Sequence, residues 1–464
     1  MKISDEADSA PTQAAVMFIL AAFSLGQAIN INNGTWNPIA MAWLSITILT
    51  AIFGLRSIAS RRSVSFLKIS PARLIRLFLI VQWGQLLLWG IGVRRSYSEP
   101  IWIFIIAMLI AGSGAILLLR DRQKLGISFV IAGHLLAGAY VIRGMNPPHI
   151  DVWDFQQDST AALMHGQNPY TVRYRNIYEP ANDYGPGTSV NGWMTFSFPY
   201  PPLTLLFDLP GRLLGDIRWS HLFALEIAAI LIAITWYDRA GPLAAAMLLL
   251  SPSSLFVIYS AWTEPMVILS FAAMLYCARH RPNLIWLPLG FFIAGKQYAI
   301  FVAPLALLAM PQPINHRDTM ATLFKSCATA AAVTLPFILW NPTAFFHSTL
   351  LMLLHAPLRL DGLTFSALIA RSTGLQIPSW VGLVAVAVVS IWAWKKSPRT
   401  QFAWAGATAL ALLLFFAFTK QAFCNYYFLV VGMLCSAAAM SPSKKIAMDH
   451  QFKSDQPQPT LLAA

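Results

Sequence analysis

Apolar runs near residues 14–31, 37–55, 74–93, 101–119 and 127–142, each bounded by polar or basic residues, open the chain. At about 1.5 Å per residue, each can cross a hydrocarbon layer about 30 Å thick as a helix, some only with their polar ends included. Nine more follow near 201–214, 219–236, 241–259, 265–278, 284–310, 323–340, 379–394, 401–418 and 424–440. The pattern predicts an all-α polytopic membrane protein with about fourteen transmembrane helices. Run 284–310 is unusually long and carries Pro288, Gly290, Gly295 and Pro304 around Lys296, which favours a break in mid-membrane or two half-helices.

Two stretches depart from the apolar rhythm. The first, Met145–Pro202 (outer loop 144–200), gathers acids, amides, tyrosines and turn formers, and a polar loop of this length is usually functional. The second, 341–378, has an apolar run around 343–354 that is too short to span and reads as an interfacial helix. The tail 441–464 is polar and rich in Gln and Pro, the composition of a disordered cytoplasmic segment.

Composition agrees. The 464-residue chain is 57% hydrophobic and only 11% charged, whereas a soluble domain is about a quarter charged. Its net charge of +13 lies mainly in short connections between apolar runs, a positive-inside distribution and not a nucleic-acid face. Arg56, Arg61, Arg62, Lys68, Arg73 and Arg76, then Arg120, Arg122 and Lys124, belong on the cytoplasmic side, and counting spans puts the long loop outside. If every later run crosses once, Arg279, His280 and Arg281 fall outside and Glu264 inside, opposite to what their charges favour. The acidic N-terminus with no small-residue cleavage site marks the first run as a retained span. Cys277, Cys327, Cys424 and Cys435 lack metal-type spacing and read as small buried hydrophobes.

Candidate chemistry concentrates in the long loop. Asp151, Asp154 and Asp158 share one face of a helix that continues through Ala161, Ala162 and Leu163 to Gly166, with a turn at Asn168-Pro169-Tyr170. Asp151 and Asp154 sit about one or two helical turns outside the membrane. Lys296 near mid-bilayer costs about 2.5–3.5 kcal/mol and needs a partner, either Glu264 or an anionic ligand such as a lipid phosphate. Lys420-Gln421 reads as interfacial snorkelling, and His355 with Arg359 faces the same side as Asp151, where the arginine can clamp a phosphate. There is no metal-ligand cluster, P-loop or nucleophile elbow; Asp151-Val-Trp-Asp154 is not a DxD motif, and no cofactor or metal is implied.

Taken in order, IDVWDFQQDSTAALMHGQNPY (Ile150–Tyr170), FPYPPLTLLFDLP (Phe198–Pro210), SPSSLFVIYSAWTEP, LGFFIAGKQYAIFVAP and DGLTFSALIARSTG resemble the polyprenol-phosphate-sugar-dependent transferases of the GT-C superfamily, near the bacterial mannosyltransferase branch. The likeness covers roughly 130–440. It implies a transmembrane core over 127–440, an N-terminal addition of about four helices over 1–126, and a bacterial inner-membrane location with the active site on the extracytoplasmic face. It further implies Asp151 as general base in an inverting transfer from a polyprenyl-phosphate sugar to a glycolipid or glycan acceptor, with Asp154 second. Lys296, beside Gln297, or Arg359 would stabilise charge growing on the phosphate, and Trp153, Tyr170 and Tyr200 would offer flat surfaces to sugar rings. Should Glu264 and Lys296 lie deep in the membrane or on its cytoplasmic half, they become a structural pair. The competing class is a transporter or flippase for a lipid-linked sugar, since Gly/Pro-interrupted spans around a mid-membrane lysine also suit a carrier.

Overall fold

In the computed structural model, the residues described are 3–60, 69–93, 98–178, 184–310 and 315–441, with side chains from 11 onward. The tail beyond Ser441, and Arg61, Arg62, Lys68, Arg94 and Arg95, lie outside them. Among the described residues the protein is all-α except for a hairpin of two two-residue strands. Seven helices among the described residues are long and apolar enough to cross a membrane.

Helices α1 (Ile3–Asn30), α2 (Pro38–Ala59), α3 (Pro71–Gly92), α4 (Ile101–Leu119) and α5 (Gln123–Gly144) run back and forth between two ends of a bundle. Their boundaries are written locally: Asn37 caps α2 through the amides of Ile39 and Ala40, with Pro38 in the first turn where its missing N–H costs nothing. Helices α4 and α5 pack closely through small residues. A Cβ at Gly133 would stand 2.4 Å from the Ala111 nitrogen, so this crossing needs bare backbone.

The loop after α5 contains α6 (Asp151–Met164), which ends at Gly166 with φ of +71°, and the hairpin β1 (Ser189–Val190) with β2 (Trp193–Met194), paired Ser189 to Met194. Then come α7 (Pro202–Leu213), α8 (Arg218–Thr235), α9 (Gly241–Leu249), α10 (Ser254–Tyr259), α11 (Glu264–His280), α12 (Trp286–Gly295), α13 (Ala299–Val302) and α14 (His316–Trp340). Last are α15 (Pro342–Phe346), a π turn at His347–Leu351, α16 (Met352–His355), α17 (Phe365–Thr373), α18 (Trp380–Lys396), α19 (Gln401–Ala417) and α20 (Cys424–Ala439).

Two elements depart from a simple run of long helices. The run 201–214 is the short helix α7. Both ends of α7 are tied to the loop: the Tyr170 hydroxyl donates to the Tyr200 carbonyl just before it, and Gln157 of α6 bonds Gly215 and Ile217 just after it. Twelve residues reach only about 18 Å, and α7 keeps Leu213 and Leu214 exposed at its end. The run 284–310 is a broken hairpin. Lys296 is extended between α12 and α13, while Pro282 before the pair and Met310 after it line the same cavity at the far end. With α7 held at the loop end and 284–310 folded back, residues 211–310 reach the ends of the bundle in the opposite order to that given by span counting. Glu264 therefore lies at the loop end, and Arg279, His280 and Arg281 at the opposite one.

One apolar core runs from α1 to α20, and a second, aromatic cluster lies under the loop. Phe18 of α1 meets Phe402 edge-on at 5.5 Å, and the turn at Ile31–Gly34 abuts the start of α20, where a Cβ on Gly34 (φ +74°) would fall 2.4 Å from the Cys424 nitrogen. Three buried polar pairs pin the bundle: His134 to Glu226 at 2.6 Å, His221 to Asp208 at 3.0 Å and Lys296 to Glu264 at 3.1 Å. Cys424 and Cys435 are buried as expected and Cys277 is half-buried, but Cys327 is exposed, because α14 turns almost its whole surface outward.

Candidate functional site at the loop end

Asp151 opens α6, and its placement follows from how that helix is held. The Gln156 amide donates to the carbonyls of Val152 and Ala261, and Gln157 bonds the turn after α7. Phe155 enters an aromatic cluster with Tyr170, Tyr174, Phe196 and Phe198. The first turn of α6 is thus anchored from below, and Asp151 stays half-buried at its tip.

Two tyrosines that sequence reasoning did not single out define the carboxylate. Tyr178 donates to Oδ1 at 3.0 Å and Tyr184 donates to Oδ2; the Val152 amide adds a third bond to Oδ1 at 2.8 Å. Burial raises the Asp151 pKa, and these hydrogen bonds together with the charge of Arg359 oppose the rise. Burial and the Asp151 charge push the Tyr184 pKa up, so its hydroxyl remains a donor. Asp154 is half-buried, and burial followed by the charges of Asp158 and Asp151 lifts its pKa to about 6.

Tyr200 joins this carboxylate to the Lys296 pair. Burial, then the negative charges of Asp151 and Glu264 among others, raise its pKa well above the ordinary tyrosine value. The Lys296 ammonium stands 4.6 Å from the centre of its ring. Lys296 also pairs with Glu264, whose Oε1 accepts from Asn425 at 3.1 Å and from Tyr298 at 3.5 Å. Of the two partners open to Lys296 from sequence, the structure supplies Glu264, and it puts the pair next to Tyr200 at the loop end. Gln297 is spent on backbone, donating to the carbonyls of Pro199 and Thr349.

Other candidates fall elsewhere. Tyr170 is 1% exposed, its ring packed by Phe198, Phe337 and Phe345, so it has no free face for a sugar and serves the loop core. Trp153 is half-buried on α6 beside the acids. The Lys420 ammonium donates to the carbonyls of Leu354 and Ala356, closing the end of α16. His355 is exposed and bonded to the Leu351 carbonyl. Arg359 grips Asp361 with two bonds, at 2.8 and 2.7 Å, and that contact holds the Asp361 pKa below the usual carboxylate value. Among the described residues, no three His, Cys, Asp or Glu side chains gather as metal ligands.

The arrangement can take a proton at Asp151 and tune when it does so. A base must be ionised to act. Tyr184→Phe removes a bond that favours the charged form and should move the acid limb of activity to higher pH; Asp154→Asn removes a like charge and should move it lower. Shifts of the same sign in both variants, read from rate against pH, would break this account. Stability supplies a second measurement. Because the folded pKa of Asp154 is raised, its contribution is full below about pH 4 and lost as pH rises through about 6. Asp154→Asn should flatten that decline in melting temperature.

No protein-family model, curated protein or solved structure matches this chain.

Proposed function

We propose that this protein is a membrane-embedded glycosyltransferase that moves a sugar from a polyprenyl phosphate to a hydroxyl of a cell-envelope glycolipid or glycan, with inversion. The observation that carries the reading is the Asp151 carboxylate, half-buried at the rim of an apolar bundle, aimed by two tyrosines and backed through Tyr200 by a buried lysine. Asp151 accepts the proton of the acceptor hydroxyl as its oxygen attacks the anomeric carbon from the face opposite the phosphate. The carbon–phosphate oxygen bond breaks and polyprenyl phosphate leaves with the electron pair. Arg359 and Lys296 are the cations near enough to Asp151 and Tyr200 to favour negative charge there. Trp153 and the exposed part of Tyr200 offer the aromatic faces.

The reading includes a topology of twelve crossings, by α1 to α5, α8, α9 with α10, α11, α14, α18, α19 and α20, with α12 and α13 re-entering from the far side. Helix α7 and the segment α15 to α16, which exposes Phe346, Leu350, Leu351 and Leu354, lie along the interface. The far end then carries Arg56, Arg73, Arg76, Arg120, Arg122, Lys124, Arg239, Arg279, Arg281, Lys395, Lys396 and Arg399, as the positive-inside rule asks of a cytoplasmic side. The catalytic loop faces outward from the bacterial inner membrane.

The deciding experiment incubates the purified chain with a panel of polyprenyl-phosphate mannose, glucose and arabinose donors and a membrane-glycolipid extract, and measures released polyprenyl phosphate. Release with one donor, coupled to a larger glycolipid, is the expected result. One observation favours a carrier instead, the re-entrant hairpin with Lys296 at its tip. Donor movement across proteoliposomes without release would establish that reading and remove this one.

A further inference from the structure

At the far end of the bundle, the turn between α8 and α9, the end of α11, the end of the re-entrant pair and the turn between α18 and α19 line an open cavity of about 610 Å³. This volume suits a small organic ligand. Three arginines line it, Arg239, Arg279 and Arg399, and no described lining residue is acidic. Beside it, both oxygens of Asp238 accept from one nitrogen of Arg279 at 3.0 Å. Three positive charges against one leave an excess of two.

The donors are as telling as the charges. Arg279 Nη1, Arg239 Nε and the indole nitrogen of Trp236 are all buried and have no hydrogen-bond partner among the described residues. Leaving one such donor unmet costs about 1–3 kcal/mol, more on a charged group, and here three belong to residues of one cavity. Arg239 and Arg279 also crowd each other over Trp236, at 5.3 and 4.1 Å from its ring. An anion held against the two guanidiniums relieves this repulsion. Forked guanidiniums match the tetrahedral oxygens of phosphate, and an excess of two suits its charge. The remaining wall, including Ile58, Met310, Phe402 and Met440, is apolar and accommodates what the phosphate is attached to.

We propose that this cavity is a phosphate-monoester site at the opposite end of the protein from Asp151, taking either a lipid headgroup or a soluble phosphate. The inference stands on these residues and does not depend on the sugar-transfer reading.

The full chain in neutral detergent is titrated with inorganic phosphate against chloride at equal ionic strength, following the melting temperature. In a second arm it is reconstituted in phosphatidylcholine nanodiscs with or without phosphatidic acid, and retained lipid is counted by native mass spectrometry. Saturable stabilisation by phosphate identifies a soluble ligand, and one retained phosphatidic acid per chain identifies a headgroup; either supports the site. Arg399→Gln, on an exposed side chain that folding does not need, and Arg279→Gln should each weaken binding about tenfold or more, since each removes a charge-assisted contact. Asp238→Asn should strengthen it. Absence of saturable binding in both arms, or affinities unmoved by both arginine substitutions, overturns the proposal.

Discussion

Asp151→Asn should lower sugar transfer by about 10²–10⁴-fold, the range over which a positioned general base contributes, while leaving the melting temperature nearly unchanged. The amide keeps the shape of the side chain. Its oxygen still accepts from Tyr178 or Tyr184, and its nitrogen can donate to the other phenol oxygen, so the local network survives with one charge fewer. What disappears is the capacity to take a proton. Released polyprenyl phosphate measured at saturating donor tests the point. Undiminished turnover in that variant would end the case for Asp151 as the base, whatever the protein transfers.

Lys296→Met carries the second large effect, on stability before activity. Glu264 is fully buried, and its Oε1 gathers Lys296, Asn425 and Tyr298 while its Oε2 has no partner. Removing the ammonium strands that carboxylate, and breaking a buried pair in this way costs about 3–5 kcal/mol. Poor folding of the single variant therefore reports on the pair and says nothing about the phosphate. The informative protein is Lys296→Met with Glu264→Gln, which removes both charges at once and should restore most of the lost stability. If the lysine also favours the leaving phosphate, the double variant remains slow and needs more donor for half-maximal rate. Full activity in the well-folded double variant would assign the pair to architecture alone.

The acids of α6 and the helix that presents them were legible because a helical spacing of polar groups at the mouth of an apolar run is a local signal. Its helical run to a stop at Gly166 is likewise written in adjacent residues. The two phenols on Asp151 were not legible. Tyr178 and Tyr184 lie 27 and 33 residues downstream, inside a stretch whose many tyrosines look alike until the loop folds back. The same holds for His134 with Glu226, 92 residues apart, and for His221 with Asp208 on the successive helices α8 and α7, whose polarity goes unnoticed inside apolar runs because each partner sits on another helix.

Hydrophobic patterning and charge bias establish that this is a helical membrane protein, that its long polar loop stands at one end, and that Asp151 and Lys296 need special surroundings. They do so because each of those properties depends on residues close together in the chain. Which end each later helix faces rests on two facts that carry no local mark. An apolar segment of twelve residues stays at the loop end because its start is bonded by Tyr170 and its end by Gln157 of α6, and a longer one doubles back because its ends meet at a shared cavity. Apolar content measures how well a segment avoids water, and that is the same whether it crosses, lies along the surface or turns around. Contacts between segments far apart in the chain choose among these, and through them they bring Lys296 and Glu264 to Tyr200 and the Asp151 loop.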